Sequence, residues 1–297
     1  MAPVDATPDA AALRSRVVPA AMTNGTTLHY EVDGDRRPCI VLHGGLGLDH
    51  LVYRRTLEPL TDTLQLVYFD HRGNGRSASV DLATVTMEQL ADDVAALADG
   101  LELERFLVFG HSYGGFVAQE FALRHHDRVD GLILVDTTPG QLGRDESPDN
   151  DQGPPPPPEF MAHMSSVPDT DDDVAAGMIG LLPYYLHSLD PTDVAPLLDG
   201  TIYRADVMAR GFEVLAGWSS FDRLGEITAP TLLLAGRHDV VTSVPQSYRI
   251  ARRLADAEVV VLEHSGHFPW LEEPDAFFAA VRDWIGRKLP DLAPRRR

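Results

Sequence analysis

The sequence predicts an α/β fold: a mostly parallel central sheet, helices on both of its faces, and a helical insertion between its two halves. Three observations carry this. Continuous apolar runs at 39–42, 64–69, 106–109, 132–135, 231–235 and 259–262 lack the in/out alternation of a half-solvated strand, so they read as strands buried on both faces. Helical patterns separate most of them, and strands alternating with helices build parallel sheets. No strand-like run occurs between residues 137 and 229.

Taken in order, residues 1–16 (MAPVDATPDAAALRSR) have no basic segment followed by an apolar one. They are expected to be a disordered lead-in, not a signal peptide. Asn24-Gly25 is a hairpin turn signal, and alternation over 26–32 follows it. The 39–42 run enters a glycine-rich loop and the 64–69 run ends at Asp70. Leu90, Val94, Leu97 and Leu101 mark a helix over 87–101. The 106–109 strand leads through Gly110 to a helix over 116–123, and then to the 132–135 strand. A polar stretch, 140–152, and five prolines, Pro154 to Pro158, open the strand-free region. The prolines are expected to form a stiff extended spacer. Helical pieces follow at 175–182 and 205–218, and a closing helix spans 277–285. The division that results is a lead-in, 1–16, a core of 17–137 plus 225–290, and a helical insertion, 138–224.

The 297 residues carry 45 acidic and 25 Lys/Arg side chains, a net charge of −20. Nucleic acid is a poor partner for such a chain, because phosphate binding needs clustered cations. The one basic cluster, Arg295 to Arg297, reads as a solvated terminus. Cys39 is the sole cysteine, so neither an internal disulfide nor a cysteine metal site is available. No stretch of 18 apolar residues suggests a membrane helix. The expectation is a soluble, cytoplasmic protein whose partner is a small molecule or short peptide, not a membrane. Its oligomeric state is not legible.

The segment that carries chemistry is Phe106-Leu107-Val108-Phe109-Gly110-His111-Ser112-Tyr113-Gly114-Gly115-Phe116. A strand, G-x-S-x-G and a helix together form a nucleophile elbow, a turn that exposes a serine hydroxyl above the sheet. Such a serine needs a base and an acid that orients the base. Asp239 and His267 follow strand ends further on, in the order Ser, Asp, His. Asp136, which also ends a strand, competes with Asp239; His264 competes with His267. His43, His111 and His238 read as loop or packing residues. The loop His43-Gly44-Gly45-Leu46-Gly47 is expected to supply one backbone donor to an oxyanion, and Tyr113 N–H the other. No metal-ligand spacing or phosphate loop is visible, so no cofactor or metal is expected.

These motifs resemble the α/β-hydrolase fold family over about residues 23–289. The resemblance rests on His43-Gly44-Gly45, Asp70-His71-Arg72-Gly73-Asn74-Gly75-Arg76-Ser77, the elbow, Gly236-Arg237-His238-Asp239, and Gly266-His267-Phe268-Pro269-Trp270. It implies the triad Ser112, Asp239 and His267, oxyanion donors at Gly45 and Tyr113, and a cap over the site. It also implies that Arg72 and Arg76 brace loops. The His-Gly-Gly loop and Ser-Tyr-Gly-Gly elbow are similar to those of proline iminopeptidases, although Leu46 stands where that subfamily has proline. The expected activity is a serine hydrolase cleaving a small amide or ester through an acyl-enzyme, with N-terminal proline release as the leading form. The alternatives are a carboxylesterase or lactonase, a carbon–carbon bond hydrolase, and a non-catalytic receptor. The pocket is expected to involve Leu46, Phe160, Tyr184, Trp218 and Phe268, with Met161, Met164, Tyr185 and Phe212 from the cap. Glu213 is the candidate partner for a substrate amine.

Overall fold

The computed structural model describes residues 18–140, 153–164 and 168–290. The expected lead-in, most of the 140–152 polar stretch and the Arg295–Arg297 cluster lie outside them. Eight strands form one sheet: β1 (Val18–Thr23), β2 (Thr26–Asp33), β3 (Arg37–Leu42), β4 (Leu64–Phe69), β5 (Phe106–His111), β6 (Val129–Val135), β7 (Thr231–Gly236) and β8 (Ala257–Leu262). Their spatial order is β1-β2-β4-β3-β5-β6-β7-β8. The β1–β2 and β2–β4 pairs are antiparallel, and every pair from β4–β3 onward is parallel. Asn24 and Gly25 take φ of 43° and 78°, the positive pair that a two-residue hairpin with strand-matched twist requires. The sequence therefore marked the turn but not β1, whose Pro19, Ala20 and Ala21 are residue types depleted in strands.

The helices are α1 (Leu51–Thr56), α2 (Met87–Gly100), α3 (Tyr113–Arg124), α4 (Pro158–Met164), α5 (Asp171–Tyr185), α6 (Pro191–Val194), α7 (Ala205–Ala216), α8 (Val244–Ala251), α9 (Pro269–Glu272) and α10 (Pro274–Lys288). Alternate strand residues feed two cores. Ile40, Leu42, Val108 and Leu134 pack with Leu90, Val94 and Phe121 of α2 and α3. Cys39, Val41, Leu107 and Val135 pack on the other face with Phe277, Val281 and Trp284 of α10. Period-two side chains with both sets buried explain why these strands read as unbroken apolar runs.

Between β6 and β7 the described residues contain helices α4 to α7 and no strand. One correction falls here: Pro158 is the first residue of α4, so the proline run ends by starting a helix. The first helical position has no intrahelical use for an N–H, and proline's fixed φ suits it.

Candidate active site

The strands deliver three side chains to one end of the sheet. Ser112 follows β5 directly, with φ 52° and ψ −119°, a strained conformation for a residue with a side chain. Its backbone is fixed from both sides: Ser112 N–H donates to Val135 O (3.0 Å), and Thr137 Oγ1 donates to Ser112 O (2.9 Å). The turn closes only because residue 114 is glycine; a Cβ there would overlap the Leu42 carbonyl.

Asp239 follows β7 and His267 follows β8, and both are buried. His267 Nδ1 lies 2.9 Å from Asp239 Oδ2. Thr242 Oγ1 donates to the same oxygen (2.6 Å), and Val241 N–H donates to Oδ1 (2.7 Å). Burial opposes ionisation of Asp239, but His267 and these hydrogen bonds outweigh it and bring its pKa to about 2. Of the two competing acids, then, Asp239 is the one on His267. Asp136 sits one strand over, at φ 41°, with Oδ1 accepting from Gly236 N–H (2.9 Å). Burial first, and then the Asp239 charge, push its pKa well above the ordinary value.

Ser112, His267, Gly45 and Tyr113 border one cavity of about 970 Å³. Gly45 takes φ 59°, which glycine adopts without strain. The neighbouring Gly44 N–H is engaged by the Tyr53 hydroxyl (2.7 Å). That hydroxyl begins a relay the sequence did not reveal. It lies 2.7 Å from His111 Nδ1, and His111 Nε2 lies 2.8 Å from His267 O. Burial, then the nearby His267, holds the His111 pKa well below the usual histidine value. A neutral ring accepting at Nδ1 and donating at Nε2 ties the glycine loop, the elbow and the His267 loop together. His111 is thus a packing residue with a specific function. His43 Nε2 accepts from His71 N–H (3.2 Å), Arg72 pairs with Asp93 (2.6 Å) and Arg76 with Asp49 (2.8 Å), all bracing loops. His264 is exposed, and His238 stacks on His187 with ring centroids 3.4 Å apart.

The pocket reading needs correction. Leu46 and Phe268 line the cavity, as do Met164, Tyr185 and Phe212. Phe160, Met161, Tyr184 and Trp218 do not. Phe160 is buried against Tyr184 and Tyr185, and Trp218 donates Nε1–H to Glu120 (3.0 Å). Glu213 is exposed and pairs with Arg210 one helical turn away (3.0 Å), so it faces solvent. Met178, Leu181 and Met208 line the cavity instead; their helical spacing is that of any core residue, so nothing in the sequence set them apart.

Folding also gathers potential ligand atoms that no sequence spacing shows. Donor atoms of His111, Asp136 and His267 lie within 4.8 Å of one another, as do those of His29, His50 and Asp70. Hydrogen bonds already engage several of them, including His50 Nδ1 to Asp70 Oδ1 at 2.6 Å.

Comparison with known proteins agrees with this frame. The sequence model of the alpha/beta hydrolase fold family matches residues 38–274. The chain belongs to that family and is a hydrolase of its superfamily. It is 29% identical over 282 residues to a candidate carbamate hydrolase, RutD, of Caulobacter sp. strain K31, covering 89% of this chain and 98% of the other. It is 28% identical over 287 residues to the proline iminopeptidase PfmaB of Pestalotiopsis fici, covering 88% and 97%. Among solved structures, the enol-lactonase of Burkholderia xenovorans LB400 superposes with a TM-score of 0.73 at 26% identity, covering 90% of this chain and 99% of that one. Among the described residues, no helix is long and apolar enough to cross a membrane.

Proposed function

We propose that the chain is a serine hydrolase acting on an uncharged ester or lactone with an apolar acyl part. The observation that carries this is the cavity around Ser112 and His267. Leu46, Met178, Leu181, Met208, Phe212 and Phe268 wall it. Its carboxylates among the described residues, Glu159, Asp169 and Asp173, are all exposed. A buried ammonium without a buried carboxylate partner is strongly disfavoured, so the enclosed part of the site suits a neutral substrate.

In this reading Ser112 Oγ attacks the carbonyl carbon while His267 Nε2 takes its proton. Asp239 keeps the other ring nitrogen protonated and steadies the imidazolium. Gly45 and Tyr113 N–H stabilise the oxyanion. His267 returns the proton to the leaving alcohol, and water attacks the acyl-enzyme in a second, equivalent cycle. The helices of 138–224 serve as the cap that selects the acyl group. The likeness to a lactonase supports this choice.

A second reading, release of an N-terminal residue, draws on the three exposed carboxylates and on the likeness to an iminopeptidase. Rates on p-nitrophenyl butyrate, γ-butyrolactone derivatives, prolyl-p-nitroanilide and its N-acetyl form separate the two. The proposal expects brisk ester or lactone cleavage with at least tenfold lower kcat/KM for the anilide. A preference for the free-amine anilide that acetylation abolishes replaces it with the second reading. No turnover of any substrate removes both.

A further inference from the structure

We propose that Asp136 is a positioning residue: as a neutral carboxylic acid it donates its proton to the Asp239 carboxylate and so sets the strength of the Asp239–His267 pair. This rests on the triad reading above. The cluster carries it. Asp136 is fully buried, and Oδ1 is satisfied by Gly236 N–H. Oδ2 meets no donor. Within its reach is an acceptor, the Asp239 carboxyl. An ionised Asp136 would leave a buried acceptor empty beside a second buried carboxylate, whereas one proton held between the two removes both faults.

The proton belongs on Asp136, because the donors lie on Asp239. Asp239 faces Thr242 Oγ1, Val241 N–H and His267 Nδ1; Asp136 has Gly236 N–H alone. The other titratable groups facing Asp136 are His111 at the end of β5, His267 after β8 and Glu272 of α9. His111 is neutral and the neighbouring Glu272 carboxyl raises the pKa of Asp136 further, so neither favours a charge on Asp136. The backbone is built for the arrangement. Asp136 holds φ 41°, in a region where aspartate and asparagine are tolerated better than other side chains. Its N–H continues the β6–β7 ladder to Leu234 O (2.9 Å).

A neutral donor drains basicity from Asp239 and keeps it from over-stabilising the imidazolium. Asp136→Gly removes the acid while keeping a residue that accepts positive φ. It should lower kcat roughly tenfold and move the acid limb of kcat/KM upward by about half a pH unit or more, because His267 then faces a more basic carboxylate. Asp136→Asn, which keeps a neutral donor, should rescue both rate and limb. A purely structural residue would scale the rate at every pH without moving the limb. Asp136→Asn as damaging as Asp239→Asn would make Asp136 the orienting acid and overturn the proposal. Should Asp136→Gly fail to fold, infrared difference spectra of wild type against Asp136→Asn decide. A neutral carboxylic-acid carbonyl band at pH 7 that vanishes in the variant is expected, and its absence from wild type refutes the assignment. Ser112→Ala run alongside keeps the two claims apart. Retained activity there defeats the triad, whereas its loss with unmoved Asp136 profiles defeats only the role of Asp136.

Discussion

The loops at the end of the sheet and the helices interposed between β6 and β7 hold opposite kinds of order. At the sheet, Ser112 is pinned by strand and loop hydrogen bonds, Asp239 by three donors, and His267 N–H by Tyr185 O at 2.6 Å. In the helices the cavity wall is apolar and partly open. Met161, Ile179 and Phe212, the exposed large hydrophobic side chains among the described residues, all lie in α4, α5 and α7. Directional bonds fix reacting groups to fractions of an ångström; dispersion and burial shape a volume without fixing its detail. In the proposed function the chemistry belongs to the first region and substrate choice to the second. Tyr185 O is one of the points where they touch.

The sharpest break in that division is Ser112→Ala, expected to remove up to about 10⁶ in kcat with the fold intact. Alanine adds no clash and no new backbone strain at a position already occupied by a non-glycine residue. Circular dichroism and active-site titration check it, and a folded variant with near-normal turnover would show that the nucleophile lies elsewhere. Next comes Asp239→Asn, expected to cost roughly 10⁴ in kcat by presenting His267 with the wrong hydrogen-bond partner. A loss under tenfold would mean that another group orients the ring.

Burial, and then the Asp239 charge, raise the folded pKa of Asp136 above the ordinary 3.8, so at pH values between the unfolded and folded pKa folding takes up a proton. Its contribution is complete below about pH 3.8 and is lost as pH rises toward the folded pKa, at up to about 1.4 kcal/mol per pH unit. Asp136→Asn should flatten that decline above about pH 4 in denaturant titrations. Parallel curves for the two proteins would show that Asp136 is ionised.

The smallest effect belongs to the helices. Phe212→Ala should raise KM for a bulky acyl ester by up to about tenfold, leave kcat within about threefold, and change stability by no more than about 0.5 kcal/mol, since the ring is already exposed. A collapse of kcat instead would place Phe212 within the reacting geometry and erase the contrast between the regions.

The sequence by itself determined the parallel sheet, the elbow and the order Ser, Asp, His. Buried strands and tight turns leave local marks, apolar runs and obligatory glycines, that survive without knowledge of neighbours. It also determined that the 137–229 region holds no strand-like run. Only the tertiary structure decided which of Asp136 and Asp239 meets His267, because both end strands and their difference is one step in strand order. The Tyr53–His111–His267 relay joins three loops far apart in sequence, and a short helix around Tyr53 carries no mark of it. The pocket wall was least legible. Phe160 and Trp218 share the apolar character of Met178 and Met208, and which of them faces the cavity depends on how each helix, and the turn after α7 that carries Trp218, packs against the sheet. That packing is set by the whole chain, so Glu213, given as an amine partner by its residue type, turned out to face water beside Arg210.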